Sequence, residues 1–233
     1  MIGAAHLRAG LRVLRRHLRY AGGNPRKLYW VARRAVSLAR EGALPGVLER
    51  HLVEAREYAN YDAWCLCYEP DAAFDFAPHI AQLPRRPLIS ILMPVWNPPV
   101  AFLAQALASV REQAYPHWEL CIVDDASTDA AVCALLEREA ANEPRIRLQR
   151  REHNGGIARA SNDALAMASG EYCAFLDHDD RLARHALFAL ARAAVADPAV
   201  EMLFSDEDKL DADGHRTRPF FKPDWDGEWI RTT

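Results

Sequence analysis

Between Phe175 and Asp180 the chain reads FLDHDD, three aspartates and a histidine directly behind an apolar run. Carboxylates this close repel one another unless a cation sits among them. Asp177 and Asp179 alternate, so an extended backbone would place both on one side. Two hard oxygen donors with room for water and phosphate suit Mg2+ or Mn2+, which usually take one or two carboxylates plus substrate phosphates. His178, a softer donor, is expected to turn away from such an ion. A lone D-x-D is explained equally well by acids capping the helix that follows.

Three further stretches could take part in the same chemistry. DDASTD (124–129) presents Asp124 and Asp125, which could accept hydrogen bonds from a base imide or a ribose. PVWNPP (94–99) carries Trp96, which could stack on a ring, although a single tryptophan beside a strand end is more often packing. HNGG (153–156) allows close backbone approach and leads into a helix whose N-terminus, with Arg159 nearby, favours anions. It is neither a P-loop nor a dinucleotide fingerprint. A flat base, a ribose and phosphates needing a metal would together use all of these groups, so a nucleotide diphosphate fits the set.

Such residues need elements that bring them to one place. Strands are predicted at 88–95, 119–123, 145–149, 171–176 and 200–204, and helices at 99–113, 129–142, 156–169 and 182–196. Pro98 and Pro99 suit a helix start, and Ser127 or Thr128 could cap the second helix. Strands alternating with helices predict an α/β fold with a mainly parallel sheet and helices on both faces. The clusters above then fall beyond the carboxyl ends of the strands, where ligands bind in open α/β sheets. SDEDK (205–209) falls after the fifth predicted strand.

Residues 1–87 have a different character. Leu7, Leu11, Leu14 and Leu18 share one helical face among arginines, further helices are predicted over 27–40 and 45–58, and residues 60–87 read as irregular, ending in the linker-like LPRRP. The boundary is therefore placed between 1–87, a basic helical extension, and 88–233. The net charge of -3 conceals eleven basic and two acidic residues within 1–50. Such an arm suits an anionic membrane surface, at about 1 kcal/mol per basic residue, or a helix packed by its leucines with its arginines in solvent. No stacking module or recognition motif accompanies the charge, so nucleic acid is not an expected partner. Half of the residues are apolar, enough for one sizeable core, and no run is long enough to span a bilayer. The five cysteines form no C-x-x-C pair, which points to a reducing compartment without disulfides or a zinc site.

ISILMPVWN, ELCIVDDASTD, HNGGIARASNDAL and GEYCAFLDHDD, in this order, resemble a family 2 glycosyltransferase of the GT-A fold. SDEDKLDADGHRTRPFFKPDW resembles the bacterial branch that transfers rhamnose or galactose in O-antigen, capsule or cell-wall polysaccharide synthesis. The resemblance covers about residues 86–226. It implies inverting, metal-dependent transfer of a sugar from a nucleotide diphosphate sugar to a glycan or lipid-linked acceptor. The cytoplasm, or the inner face of the cell membrane, is the implied location.

The resemblance also implies residue roles. Pro94, Val95 and Trp96 would line the nucleoside pocket, and Asp125 with Asp124 would contact the base. Asn154, Gly156 and Arg159 would lie near the ribose and diphosphate, with His178 beside the donor. Asp177 and Asp179 would hold Mg2+ or Mn2+. The general base is expected past Thr233, with Asp206, Glu207 and Asp208 as weaker candidates, so the chain would be the donor half of a transferase. A non-catalytic nucleotide-sugar-binding module is the alternative; a nucleotidyltransferase would want a glycine- and arginine-rich loop where PVWNPP stands. If residues 1–40 seek lipid, the chain co-floats with anionic liposomes in low salt and not with neutral ones; absence of co-flotation from both would refute the surface role.

Overall fold

The computed structural model of the chain describes residues 73–222 apart from 212, together with Tyr61, Cys65, Glu69 and Pro70. The helices expected within 1–58 lie outside the described residues, as does the proposed membrane-surface arm. The chain divides into two compact units, Ala72–Leu203 and a second that joins Phe204–Thr233 to the N-terminal residues.

The larger unit holds a four-stranded sheet in the order β3-β2-β1-β4. Its strands are β1 (Ile89–Val95), β2 (Trp118–Asp124), β3 (Ile146–Arg150) and β4 (Tyr172–Phe175). All three pairings are parallel, so each connection must cross over. The crossovers are α2 (Val100–Arg111), α3 (Ala130–Asn142) and α4 (Ile157–Met167), with α5 (Ala186–Ala196) after β4 and a short α1 (Ala77–Ala81) before β1. This is the α/β core expected of a GT-A fold, with a mainly parallel sheet and helices on both faces.

Burial explains the arrangement. Every residue of β1 and of β2 is buried, the pattern of strands covered on both faces. Ile89, Ile91, Met93 and Val95 of β1 join one apolar cluster with Leu103, Leu107 and Val110 of α2, Leu136 of α3 and Leu187 of α5. Leu92, Cys121 and Val123 alternate onto the other face and meet Ala160 and Ala164 of α4. Each fully buried Leu or Ile contributes about 1.5–3 kcal/mol.

The second unit contains an antiparallel pair, β5 (Glu207–Leu210) and β6 (Arg216–Phe220). Here the structure corrects the sequence reading. Residues 200–204 form no strand, and SDEDK contributes a strand instead of following one. The run Val200–Phe204 is apolar at every position but Glu201, and so short an apolar run does not by itself settle whether it pairs. Residues 60–87 are not wholly irregular either, because Tyr61 and Cys65 lie in helical backbone and α1 forms at Ala77–Ala81. Pro78 near its start suits that helix.

One polar network joins three strands at the end of the sheet opposite the candidate site. Glu119, 8% exposed, accepts from Ser90 Oγ (2.6 Å) and from Ser169 N (2.6 Å) and Oγ (2.9 Å), and pairs with Arg147 of β3 (3.0 Å). Gly170 completes the joint: a Cβ there would stand 2.7 Å from Leu88 O and 2.8 Å from Ser90 N, so only glycine fits. Burial alone would raise the Glu119 pKa. The hydrogen bonds from Ser90 and Ser169 and the Arg147 guanidinium outweigh it and hold the carboxyl down at about 2. Because the folded value lies below the ordinary one, the stabilisation is present above about pH 4.5 and fades as pH falls toward 2. Glu119→Gln is therefore expected to cost up to about 3 kcal/mol at pH 7 and far less near pH 2.5. Urea midpoints across that range measure the difference, and a pH-independent cost would refute the assignment.

Candidate functional site

The strand order reverses between β1 and β4: the chain runs outward through β2 and β3, then returns to the other side of β1. A crevice at the carboxyl ends beside that switch point is where an open α/β sheet binds ligands. Pro94 and Val95 end β1 there, both buried, and Trp96 follows, 56% exposed. Pro94 is unusual in a central strand because it cannot donate to a ladder. The ladder with β4 stops at the Leu92–Phe175 pair, before Pro94 is reached. His178 Nδ1 lies 3.3 Å from the Pro94 carbonyl, taking the place of the strand partner that β4 no longer offers.

Asp124 and Asp125 close β2 and are almost fully buried, at 1% and 2% exposed. Buried carboxylates require donors, and each has them. Asp124 accepts from Ser127 N (2.9 Å) and Arg150 Nε (2.9 Å). Asp125 accepts from Gly155 N and Gly156 N (2.8 Å each) and pairs with Arg151 Nε (2.9 Å). Its backbone N–H continues the sheet to Val95 O (2.8 Å), and its carbonyl accepts from Asn154 Nδ2 (3.3 Å). The glycine amides that were expected to approach phosphate thus hold the Asp125 carboxylate. Gly156, at the N-cap of α4 with φ 82°, takes a conformation that other residues rarely adopt. Asn154 and Arg159 are exposed beside this turn.

Asp177 and Asp179 stand at the carboxyl end of β4, exposed, with His178 half-buried between them. The extended backbone expected across D-x-D is not found. Asp180 N donates to Asp177 O (3.1 Å), and the chain turns at His178 and Asp179. Among the described residues, neither the Asp177 nor the Asp179 carboxylate takes part in a hydrogen bond or ion pair. Two unpaired hard-oxygen donors at a switch point fit a divalent cation that completes its shell with water and phosphate.

The other acids belong to the second unit. Asp208 accepts from the Tyr61 hydroxyl (2.6 Å) and pairs with Arg216, which also binds Glu69. Burial and the bond to Asp208 push the Tyr61 phenol well above its ordinary pKa. A carboxylate already committed to a guanidinium and a phenol is a structural anchor. Asp206 accepts from Lys222 N (2.8 Å), and Glu207 faces Lys222 Nζ at 3.3 Å. In the turn between β5 and β6, ligand atoms of Asp211, Asp213 and His215 lie within 4.8 Å of one another, close enough to share a divalent cation. All three residues are exposed, and Asp211 Oδ1 already accepts the amides of Asp213 and His215. That grouping therefore reads first as a hairpin turn.

Sequence reading missed Asn97, Arg150 and Arg151. The arginines sit where β3 ends, and their two-residue offset from HNGG was the available signal. Asn97 stood inside PVWNPP but carried no recognisable chemistry. The expected cap of α3 is also corrected: Asp129 accepts from Ala131 N (2.8 Å), while Ser127 and Thr128 turn to other partners. Among the described residues, no helix is long and apolar enough to cross a membrane.

Residues 90–225 match the model of glycosyl transferase family 2, and the chain belongs to that family. It is 44% identical over 174 residues to the O-antigen biosynthesis protein RfbC of Myxococcus xanthus, covering 75% of this chain and 14% of that protein. It is 43% identical over 96 residues to a putative teichuronic acid biosynthesis glycosyltransferase, TuaG, of Bacillus subtilis, covering 41% and 37% of the respective chains. Among solved structures, S. aureus TarS 1-349 aligns over 46% of this chain and 32% of its own with 29% identity and a TM-score of 0.42. The chain thus spans well under half the length of the curated relatives named here.

Asp125→Asn, which removes the charge shared by two amides and Arg151, is expected to cost about 2 kcal/mol. Hydrogen exchange at Gly155 and Gly156 should accelerate with it; unchanged exchange would show that the carboxylate does not hold the turn.

Proposed function

We propose that residues 88–233 form the donor-binding domain of an inverting glycosyltransferase that moves a sugar from a nucleotide diphosphate sugar to a glycan or lipid-linked acceptor. The observation that carries this reading is the unpaired, exposed Asp177 and Asp179 at the switch point of a family 2 chain. Asp124 and Asp125 nearby have donors from the protein, whereas these two have none among the described residues. The similarity to proteins named for O-antigen and teichuronic acid biosynthesis supports an envelope polysaccharide as the product class, made at the cytoplasmic face of the membrane.

In this reading Trp96 offers a face to the base, with Pro94 and Val95 forming the floor behind it. Asp124 and Asp125 set the rim on the β2 side, and the Asp125 Oδ2 atom, with one amide bonded, keeps a lone pair for a base imide. Asn154, Gly156 and Arg159 border the ribose and diphosphate, where the guanidinium supplies charge for phosphate oxygens. Asp177 and Asp179 hold Mg2+ or Mn2+, and the His178 ring, fixed on the Pro94 carbonyl, orients the turn that carries them. When held there, the cation would supply positive charge to offset what grows on the leaving diphosphate. No described carboxylate is assigned as the general base.

Calorimetry with UDP, GDP and dTDP, each with Mn2+, tests the assignment. One of the three is expected to bind in a metal-dependent manner, and Asp179→Ala should weaken it by about tenfold or more. Binding that survives chelation and the substitution would refute the metal pair.

A further inference from the structure

Asn97 lies in the loop after β1 with φ 43°, and Ala126 lies in the loop after β2 with φ 62°. Left-handed backbone is uncommon outside glycine, and asparagine tolerates it better than alanine does. Two such residues on facing loops persist only if the surroundings hold them. Four hydrogen bonds do so. Asn97 N donates to Ser127 Oγ (3.0 Å), and Asn97 Nδ2 donates to Thr128 Oγ1 (3.2 Å). Asn97 Oδ1 accepts from Thr128 N (2.8 Å) and Asp129 N (3.0 Å). Ser127 is itself held by Asp124 Oδ1, so the clip is continuous with the buried carboxylate at the end of β2.

What this clip controls follows from burial. Trp96 is 56% exposed, so packing does little to orient it. Its backbone neighbours are Val95, locked in the sheet, and Asn97, locked to the opposite loop. Asp125 is likewise bounded by Asp124 in the strand and by Ala126 in the strained loop. One carboxamide therefore joins the two segments that bear both residues.

We propose that Asn97 is a positioning residue for the donor site, clipping the loop after β1 to the loop after β2 so that Trp96 and Asp125 form one rigid rim. This rests on the donor-site reading above. Its effect is pre-organisation: loops already in place need not be ordered when ligand binds. Asp at this position would keep the acceptor for Thr128 and Asp129 and lose only the donor to Thr128 Oγ1.

The test uses the full chain with UDP and GDP as probes, each with Mn2+. Asn97→Gly keeps the left-handed backbone and the backbone bond to Ser127 Oγ, and deletes the three side-chain bonds of the clip. Amide exchange at Thr128 and Asp129 should rise by about tenfold or more while Asp125 N, bonded to Val95 O, stays protected; nucleotide affinity should fall about tenfold. Asn97→Asp should retain most of both. Thr128→Val, a smaller cut that leaves Asn97 in place, should weaken affinity by about threefold and serves if Asn97→Gly does not fold. Native affinity in Asn97→Gly despite faster exchange, or native affinity in Thr128→Val where Asn97→Gly fails to fold, overturns the positioning role alone. Absence of metal-dependent binding of either nucleotide by the unaltered chain overturns the donor-site reading, and this inference with it.

Discussion

Asp124 and Asp125 are buried side by side at the end of a central strand, and a carboxylate removed from water must be given donors. That requirement organises the upper end of the sheet. Asp124 draws in Arg150 and the Ser127 amide; Asp125 draws in Arg151 and the amides of Gly155 and Gly156. The loops after β2 and β3 are thereby tied to the end of β2. Arg151 extends the tie to Asp163 on α4, so the helix that covers one face of the sheet is anchored to the same pair of acids.

Against that background the acids after β4 are of another kind. Asp177 and Asp179 are exposed, and their side chains have no partner among the described residues. In one small region two carboxylates are satisfied internally and two have no donor among the described residues. The difference separates structural acids from candidate ligating acids more sharply than their spacing does. It also discounts the acids of the hairpin, where Asp208 is bound by Arg216 and Tyr61, and Asp211 by the amides of its own turn.

Two ends of the sheet use the same physics for different purposes. At the amino end, Glu119 gathers Ser90, Ser169 and Arg147, and three strands with the turn before β4 are locked together. At the carboxyl end, the corresponding network stops short of β4, whose ladder with β1 finishes at Leu92 and Phe175. Past that pair, Leu176 N donates to Leu92 O and His178 contacts Pro94 O. A rigid base and a looser upper rim beside β4 suit a site that must admit a ligand, because binding elements are drawn from the less constrained end of a fold.

The sequence by itself determined the alternation of strands and helices from Leu88 to Ala196, and the placing of PVWN, DDASTD, HNGG and DHDD at strand ends. Periodicity reports which residues avoid water, and turn residues report where the chain must reverse. It did not reveal that β4 sits beside β1, that Asp125 grips the glycine turn, or that Asn97 spans to Thr128, because these contacts join residues about 30 or more positions apart. It also misjudged the D-x-D backbone and the strand at 200–204, where local pattern permits more than one conformation. Only the tertiary structure decided which acids are neutralised by the protein and which are not, since a carboxylate's role depends on the donors that folding brings to it.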